Sequence, residues 1–413
     1  MINMPKISVT KILFFLVPTV LLFISQKTIA YYAPTSSYDP CSVPETGDWT
    51  ISSSCTLETS DTLEGDLTVN NGCVLEIENG VTLTVDLEHS YIRVISGGGI
   101  LIRQGGTITQ STPRPTQENF KVAFIGDSDA GFNFESVLNL IKNENADMVL
   151  HQGDFDNTDS KDPAVFETII NNILGVNFPY FGSVGNHDNN DAGEWNAYAN
   201  QFLTRMQRLG LTPDFNDLTD QKYSLTYKGL KMVFVGENGN NTEFANFINS
   251  EFATDDHIWK ICSWHQMQNA MQVGSKADDM GWDVYENCRT HGAIIVNGHE
   301  HSYHRTKTLT DMSDQTVDVG CSDPNNLCVG NGKTFSNVSG LGGIGIRNQD
   351  RCLPISYPYG CNGEWASIYT TDQSAQYGAL FIEFRVDGDT EKASGYFKNI
   401  DGVVVDTFTI IKQ

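Results

Sequence analysis

The sequence changes character at Lys121. Beyond it, short apolar runs alternate with segments whose apolar residues recur every three to four positions. "KVAFIGD" is followed by "FNFESVLNLIKNENA", "DMVLHQGD" by "PAVFETIINNIL", and "FPYFGSVGNHD" by "WNAYANQFLTRMQRL". "LKMVFVG", "IWKICSWH" and "AIIVNGHEH" are further apolar runs. Short β-branched runs predict strands, and a three-to-four-residue period predicts helices. Strands alternating with helices pack with sheets inside and helices outside, so a layered α/β fold is expected. Toward the end, "ALFIEFRV", "EKASGYFKNI" and "VVVDTFTII" predict an antiparallel meander. Residues 311–375, rich in Gly and Cys, read as an insertion.

Most of the apolar runs stop at a polar cluster. "FIGDSDAG" supplies Asp127 and Asp129, "HQGDFDN" Asp154, "VGNHD" Asn186 and His187, and "SWHQ" His265. "VNGHEHSYHR" supplies His299, His301 and His304, three of only nine histidines in the chain. Such folds place ligand sites at strand ends. One cluster alone is ordinary turn chemistry. Five in succession, rich in carboxylate and imidazole, point to a site for two cations. One carboxylate can bridge both, and His299 and His301, two residues apart, can reach one each. Other residues read more plainly. His151 is expected to be structural, and Asp156 and Asp188 caps or partners of the ligands. His89, His257 and His291 are expected on the surface or in the core, and Trp264 and Tyr303 in the core. Glu300 should face away from its two histidine neighbours.

In order and spacing, "GDSD", "GD", "GNHD", "WH" and "GHEH" resemble the motifs of the calcineurin-like metallophosphoesterase superfamily: D-x-H, G-D, G-N-H-D/E, a lone His and G-H-x-H. The likeness covers roughly residues 120–305. "SYHR", "VSGLGGIG" and "YGALFIEF" look like the purple acid phosphatase branch. The resemblance implies a layered αββα sandwich and two metal ions, of iron, manganese, zinc or magnesium. Asp127, Asp154, His301 and Asp129 would hold the first, and Asp154, Asn186, His265 and His299 the second. It implies hydrolysis of phosphate monoesters by a hydroxide that both metals activate. His187 would protonate the leaving oxygen or stabilise the transition state, and His304 and Arg305 would contact the phosphoryl group.

Two positions depart from the family. Asp129 replaces the histidine of D-x-H, and Asn157 stands where the branch has a tyrosine, so no tyrosinate-to-iron colour is expected. The carboxylate-rich shell favours manganese, magnesium or iron over zinc. The same site would serve a phosphodiesterase or a nucleotidase. A surface binding or structural protein with a degenerate site is the alternative from another class, and Asp129 is the residue that speaks for it.

Residues 41–110 are built differently. "LTVNNGCVLEIENGVTLTV" and "IRVISGGGILIRQGGTI" are β-branched runs broken by Asn-Gly and Gly-Gly turns, which predict a small β-solenoid of three or four coils, or a β-sandwich. No cluster of candidate ligands falls here. "STPRPTQEN" reads as a linker, so the expected organisation is a β-rich module over residues 31–115 and a catalytic domain over 116–413. Ahead of both, Lys6 and Lys11 precede the apolar run "ILFFLVPTVLLFI" and the small-residue site "TIA". That pattern predicts a signal peptide over residues 1–30 and a secreted or cell-surface protein, with an uncleaved anchor as the alternative.

Residues 1–30 carry three lysines and no acid, so their removal moves the formal charge from −25 to −28. Such a field excludes nucleic acid and anionic membrane surfaces as partners, and leaves a small phosphate ester acceptable only where cations supply local positive charge. With 39% hydrophobic residues the chain can bury a core. Nine cysteines in an exported chain predict disulfides. Cys321 with Cys328, Cys352 with Cys361 and Cys41 with Cys55 are the local pairs, Cys262 with Cys288 a longer one, and Cys73 is left over. Asn240 and Asn337 begin glycosylation sequons.

Overall fold

The computed structural model describes residues 38–413 except 45–47, 64, 86–89, 111–117, 157–161, 190–193 and 237–240. The expected signal peptide, most of the linker, His89, Asn157 and Asn240 lie outside those residues. The chain divides into two compact units, Met1–Arg114 and Pro115–Gln413.

The first unit is a solenoid. Among the described residues nine strands form three parallel sheets of three, and each turn of the chain contributes one strand to each face. Trp49 pairs with Leu67, 18 residues on, and Leu67 with Ile92, 25 residues on. Pairing each strand with its equivalent one coil later decides between the two architectures read from the sequence, since a sandwich pairs antiparallel neighbours. Leu57, Leu63, Val69, Leu75, Ile77, Leu83 and Val85 stack inward with no exposed surface. A disulfide joins Cys41 to Cys55, and Cys73 is a buried free thiol.

The second unit has the expected αββα layering. One sheet has seven strands, in the order Tyr180–Gly182, Met148–His151, Phe120–Ile125, Gly378–Phe384, Lys392–Asn399, Val404–Lys412 and Asn326–Val329. The other has eight: Phe215–Asp217, Lys222–Tyr227, Leu230–Val235, Trp259–Ser263, Ile294–Asn297, Ser336–Ser339, Tyr303–Thr306 and Trp365–Tyr369. Strand alternation sends successive residues of the second sheet to opposite layers. Met232, Phe234, Ile261, Ile294 and Val296 join the core of Val122, Phe124 and Leu150. Val233, Val235, Cys262 and Ile295 pack on Phe244, Ile248 and Val284, from helices Asn241–Phe252 and Trp282–Thr290. Helices Phe132–Asn143, Pro163–Ile173 and Glu194–Arg208 turn Val137, Phe166 and Tyr198 onto the first sheet. Burying each such side chain stabilises the fold by roughly 1.5–3 kcal/mol.

Residues 311–375 are not an insertion. They supply Asn326–Val329 to the first sheet, and Ser336–Ser339 and Trp365–Tyr369 to the second. The strand "SNVS" reads as polar, yet all four residues are buried. Its polar atoms find backbone partners: Asn337 Nδ2 donates to Ile295 O at 3.0 Å, and Ser339 Oγ to Phe124 O at 2.8 Å. Asn337 is therefore no accessible glycosylation site in the folded chain. Disulfides Cys262–Cys288, Cys321–Cys328 and Cys352–Cys361 are all present. Among the described residues no helix is long and apolar enough to cross a membrane.

Candidate metal centre

The parallel strands of both sheets deliver their carboxyl ends to one place. Asp127 N donates to Gly153 O at 3.1 Å, Ser128 N to Asp154 O at 2.9 Å, and Gly298 N to His265 O at 3.2 Å, so the strand-end loops are bonded to one another. Glycine makes this approach geometrically possible. A Cβ on Gly298 would stand 2.9 Å from His265 Nδ1 and 3.0 Å from Asp127 Oδ2. The later Gly-rich turn closes the other side: Gly342 N donates to Gly126 O at 2.9 Å and Ile344 N to Asp127 O at 3.1 Å.

Three of the polar residues hold left-handed backbone: Asp127 at φ 58°, Asp154 at 55° and His299 at 68°. Non-glycine residues rarely adopt this region, and each costs about 1–3 kcal/mol unless its surroundings impose it. At Asp154 they do so through Asp188. Its carboxylate accepts the N–H groups of Asp154, Phe155 and Gly185 at 2.8–2.9 Å, the partner role expected for it.

The side chains converge as follows. His265 Nε2 lies 3.2 Å from Asp154 Oδ2 and 3.9 Å from Asp127 Oδ1, and His301 Nε2 lies 3.4 Å from Asp127 Oδ1. Ligand atoms of Asp154, His265 and His299 all fall within 4.8 Å of one another. The imidazoles are aimed by their other nitrogens: His265 Nδ1 bonds Gln152 O at 2.6 Å and His301 Nδ1 bonds Gly345 O at 2.7 Å, each leaving Nε2 toward the carboxylates. His187 is half-buried, and its N–H donates to Asp154 Oδ1 at 2.8 Å.

Burial pushes the Asp127 carboxyl up to about 8 against the pull of His265. Burial acts in the same sense on Asp154, but the charge and hydrogen bond of His265 outweigh it and hold Asp154 below the usual carboxylate range. Burial lowers His299 to about 2, and burial together with Arg347 lowers His301 to about 4. Both are neutral bases near pH 7, as metal ligands must be. Both oxygens of Asp127 and the amide oxygen of Asn186 are buried without a hydrogen bond. Buried acceptors left unpaired are costly, and a hard cation is the partner this oxygen-rich set suits.

Three expectations fare differently. Asp129 makes no ion pair with any of these histidines among the described residues. Its carboxylate accepts Gly131 N–H at 3.2 Å in a local turn, at the start of helix Phe132–Asn143. Arg305 is fully buried, and its guanidinium forks onto Asp406 at 2.8 and 3.0 Å. His304 is equally buried, bonded to Ser302 Oγ at 3.1 Å and edge-on to Trp365. Neither is placed to meet a phosphoryl group, because strand pairing on both sides of Tyr303–Thr306 carries them into the core. His151, as expected, is structural, bonded to Ser128 Oγ at 2.9 Å and packed on Phe155. Sequence reasoning passed over Asp279, whose Oδ2 is 3.8 Å from His299 Nε2, and the cations Lys276 and Arg347 near the same histidines. "GSKADDM", which holds Lys276 and Asp279, and "IRNQD", which holds Arg347, carry no periodic or motif signal that singles them out.

The family model of the calcineurin-like phosphoesterases matches residues 120–303. The matched segment holds all five strand-end clusters, from Asp127 to His301. Among solved structures the chain is similar to the purple acid phosphatase PPD1 isolated from yellow lupin (Lupinus luteus) seeds. The TM-score is 0.53 at 20% identity over 73% of this chain and 56% of that one. This chain thus aligns with little more than half the length of the lupin protein, and the likeness is one of fold. A structure of PhoD aligns with a TM-score of 0.42 at 11% identity, over 73% of this chain and 75% of that one. None of the curated proteins matches the chain.

Proposed function

We propose that this chain is a metal-dependent phosphatase that hydrolyses phosphate monoesters outside the cytoplasm. The observation that carries the reading is the pair of adjoining donor sets. Asp127 with His301 forms one, and Asp154 with His265 and His299 the other. Asp127, Asp154 and His301 would hold one cation, and Asp154, Asn186, His265 and His299 the second, with Asp154 shared. Asp129 stands outside both sets. Two such cations supply Lewis acidity, which activates water and neutralises charge on phosphoryl oxygens.

The chain's own residues do the rest. The neutral imidazoles of His299 and His301 offer lone pairs without competing protons. Gln152 O and Gly345 O fix the rings of His265 and His301, and Asp188 fixes the Asp154 loop. His187, half-buried and tied to Asp154 through its backbone N–H, would give a proton to the leaving oxygen. Export is supported by the four disulfides, which persist in oxidising compartments.

The test is turnover of p-nitrophenyl phosphate and bis-p-nitrophenyl phosphate by the purified chain after loading with iron, manganese, zinc or magnesium, beside a metal analysis. Turnover of the monoester that disappears on chelation and returns with metal is expected. Full activity in chelator would overturn the reading.

A further inference from the structure

Lys276 and Arg347 stand on two loops beside the metal centre and have no role in the scheme above. Lys276 lies three residues before Asp279, whose carboxylate approaches His299. Arg347 follows Gly345, which holds the His301 ring, and its own N–H donates to His301 O at 2.9 Å. The loops are bound to each other. The N–H groups of Asp350 and Arg351 both donate to Val273 O, at 3.0 and 2.9 Å, and Arg351 Nη1 donates to Gln272 O at 2.8 Å. The loops that carry both cations are thereby fixed beside the His299–His301 segment.

Acids outnumber bases by 51 to 26 in this chain. Buried cations elsewhere have taken partners: Lys231 binds Asp214 and Glu251, Arg205 binds Glu167, and Arg305 binds Asp406, whereas Lys276 is half-buried and Arg347 exposed at the mouth of the site. Lys276 and Arg347 form no ion pair and no side-chain hydrogen bond among the described residues. They nonetheless feel each other, since burial and the Arg347 charge together hold Lys276 below the ordinary lysine range, while Asp127, Glu300 and Asp154 pull the other way. Two like charges near one another that close no ion pair with the carboxylates around them leave their donors open to an anion.

We infer that Lys276 and Arg347 are specificity-determining residues that receive the non-bridging oxygens of a dianionic phosphate monoester and disfavour diesters. The inference rests on the phosphoester-hydrolysis reading and names which ester it serves. A monoester carries about 1.5–2 negative charges at neutral pH and three strong acceptor oxygens. A diester offers a single charge and fewer terminal oxygens. Arginine supplies a planar fork and lysine a point charge, a pairing suited to one tetrahedral anion.

The experiment compares the metal-loaded chain with Lys276→Ala, Arg347→Ala and the double variant, on p-nitrophenyl phosphate and on bis-p-nitrophenyl phosphate. Each single change should lower monoester kcat/KM by about 10–100-fold, mostly through KM, and diester kcat/KM several-fold less. Lys276→Arg should recover part of the loss. Inorganic phosphate, titrated calorimetrically, should bind the double variant at least about tenfold more weakly at unchanged metal content and melting temperature. Equal losses on both esters, or unchanged phosphate affinity, would overturn the assignment. A parent chain that turns over neither ester would instead sink the enzymatic reading, and the phosphate titration would still decide whether the two cations form an anion site.

Discussion

Asp154 Oδ2 and His265 Nε2 lie 3.2 Å apart with both side chains buried, an ion-pair distance between two groups that would share a cation. Asp154→Asn keeps the shape and removes the charge on the proposed bridging group. Turnover should fall by more than about a hundredfold, because even the outer partners of metal ligands are worth 10–100-fold. Bound metal should drop with it, by at least one equivalent. Elemental analysis beside the rate assay checks both, and retention of full metal and rate would remove Asp154 from the centre.

Arg305 gives the opposite expectation. Its partner Asp406 is buried, and Tyr303 Oη also donates to it, at 2.6 Å. Arg305→Met strands that carboxylate, and breaking a buried pair on one side costs about 3–5 kcal/mol. Denaturant unfolding should show this loss, while kcat/KM per folded molecule stays unchanged. A large rise in KM without loss of stability would restore Arg305 to the substrate site.

His304 and His151 make the folded domain acid-sensitive. Burial holds each imidazole at about 3, against 6.5 for the free side chain. The unfolded chain therefore binds more protons between those values, and stability is lost as pH falls from about 6.5 toward 3. Thermal melts of the metal-loaded chain should show a falling midpoint over this window, and His304→Gln should flatten the slope. A slope that the substitution leaves intact would assign the acid sensitivity elsewhere.

Gly298→Ala tests the packing of the strand-end loops. Its Cβ would meet Gln152 O, His265 Nδ1 and Asp127 Oδ2 at 2.9–3.0 Å, atoms that cannot all yield. Overpacking of this kind costs roughly 1–3 kcal/mol, and here it displaces candidate ligands directly. A lower melting point with weaker metal retention is expected, both read from one chelator titration followed by calorimetry. An unchanged melting point would show that the loops can part at little cost.

The site was legible where sequence and neighbourhood coincide. "GNHD" and "GHEH" sit at ends of apolar strands, and the glycines that admit close loops are written into the motifs themselves. Arg305 stands beside a motif in sequence while strand alternation carries its side chain into the core, and Asp129, beside another, accepts Gly131 N–H in a local turn. Ser336–Ser339 was invisible because its burial rests on hydrogen bonds to Ile295 and Phe124, partners that no period in "SNVS" encodes. Lys276 and Arg347 matter through placement alone, which the packing of two loops decides. The solenoid was half legible: Gly turns and β-branched runs announced strands, and only the register settled how they pair.

Phe120 is paired with Phe384, and Val122 with Ile382, so the strand leading to Asp127 is flanked on one side by residues some 260 positions later. A ribosome releases all five motifs long before that flank exists. Closing so large a loop is slow, and non-local pairing governs the rate at which such folds are reached. The ligands therefore gain fixed positions only after residue 384 or so has emerged. A translation product halted at residue 370 would contain every candidate ligand but lack Gly378–Phe384, the strand that flanks the one leading to Asp127, so the frame of the candidate site is completed only late in synthesis.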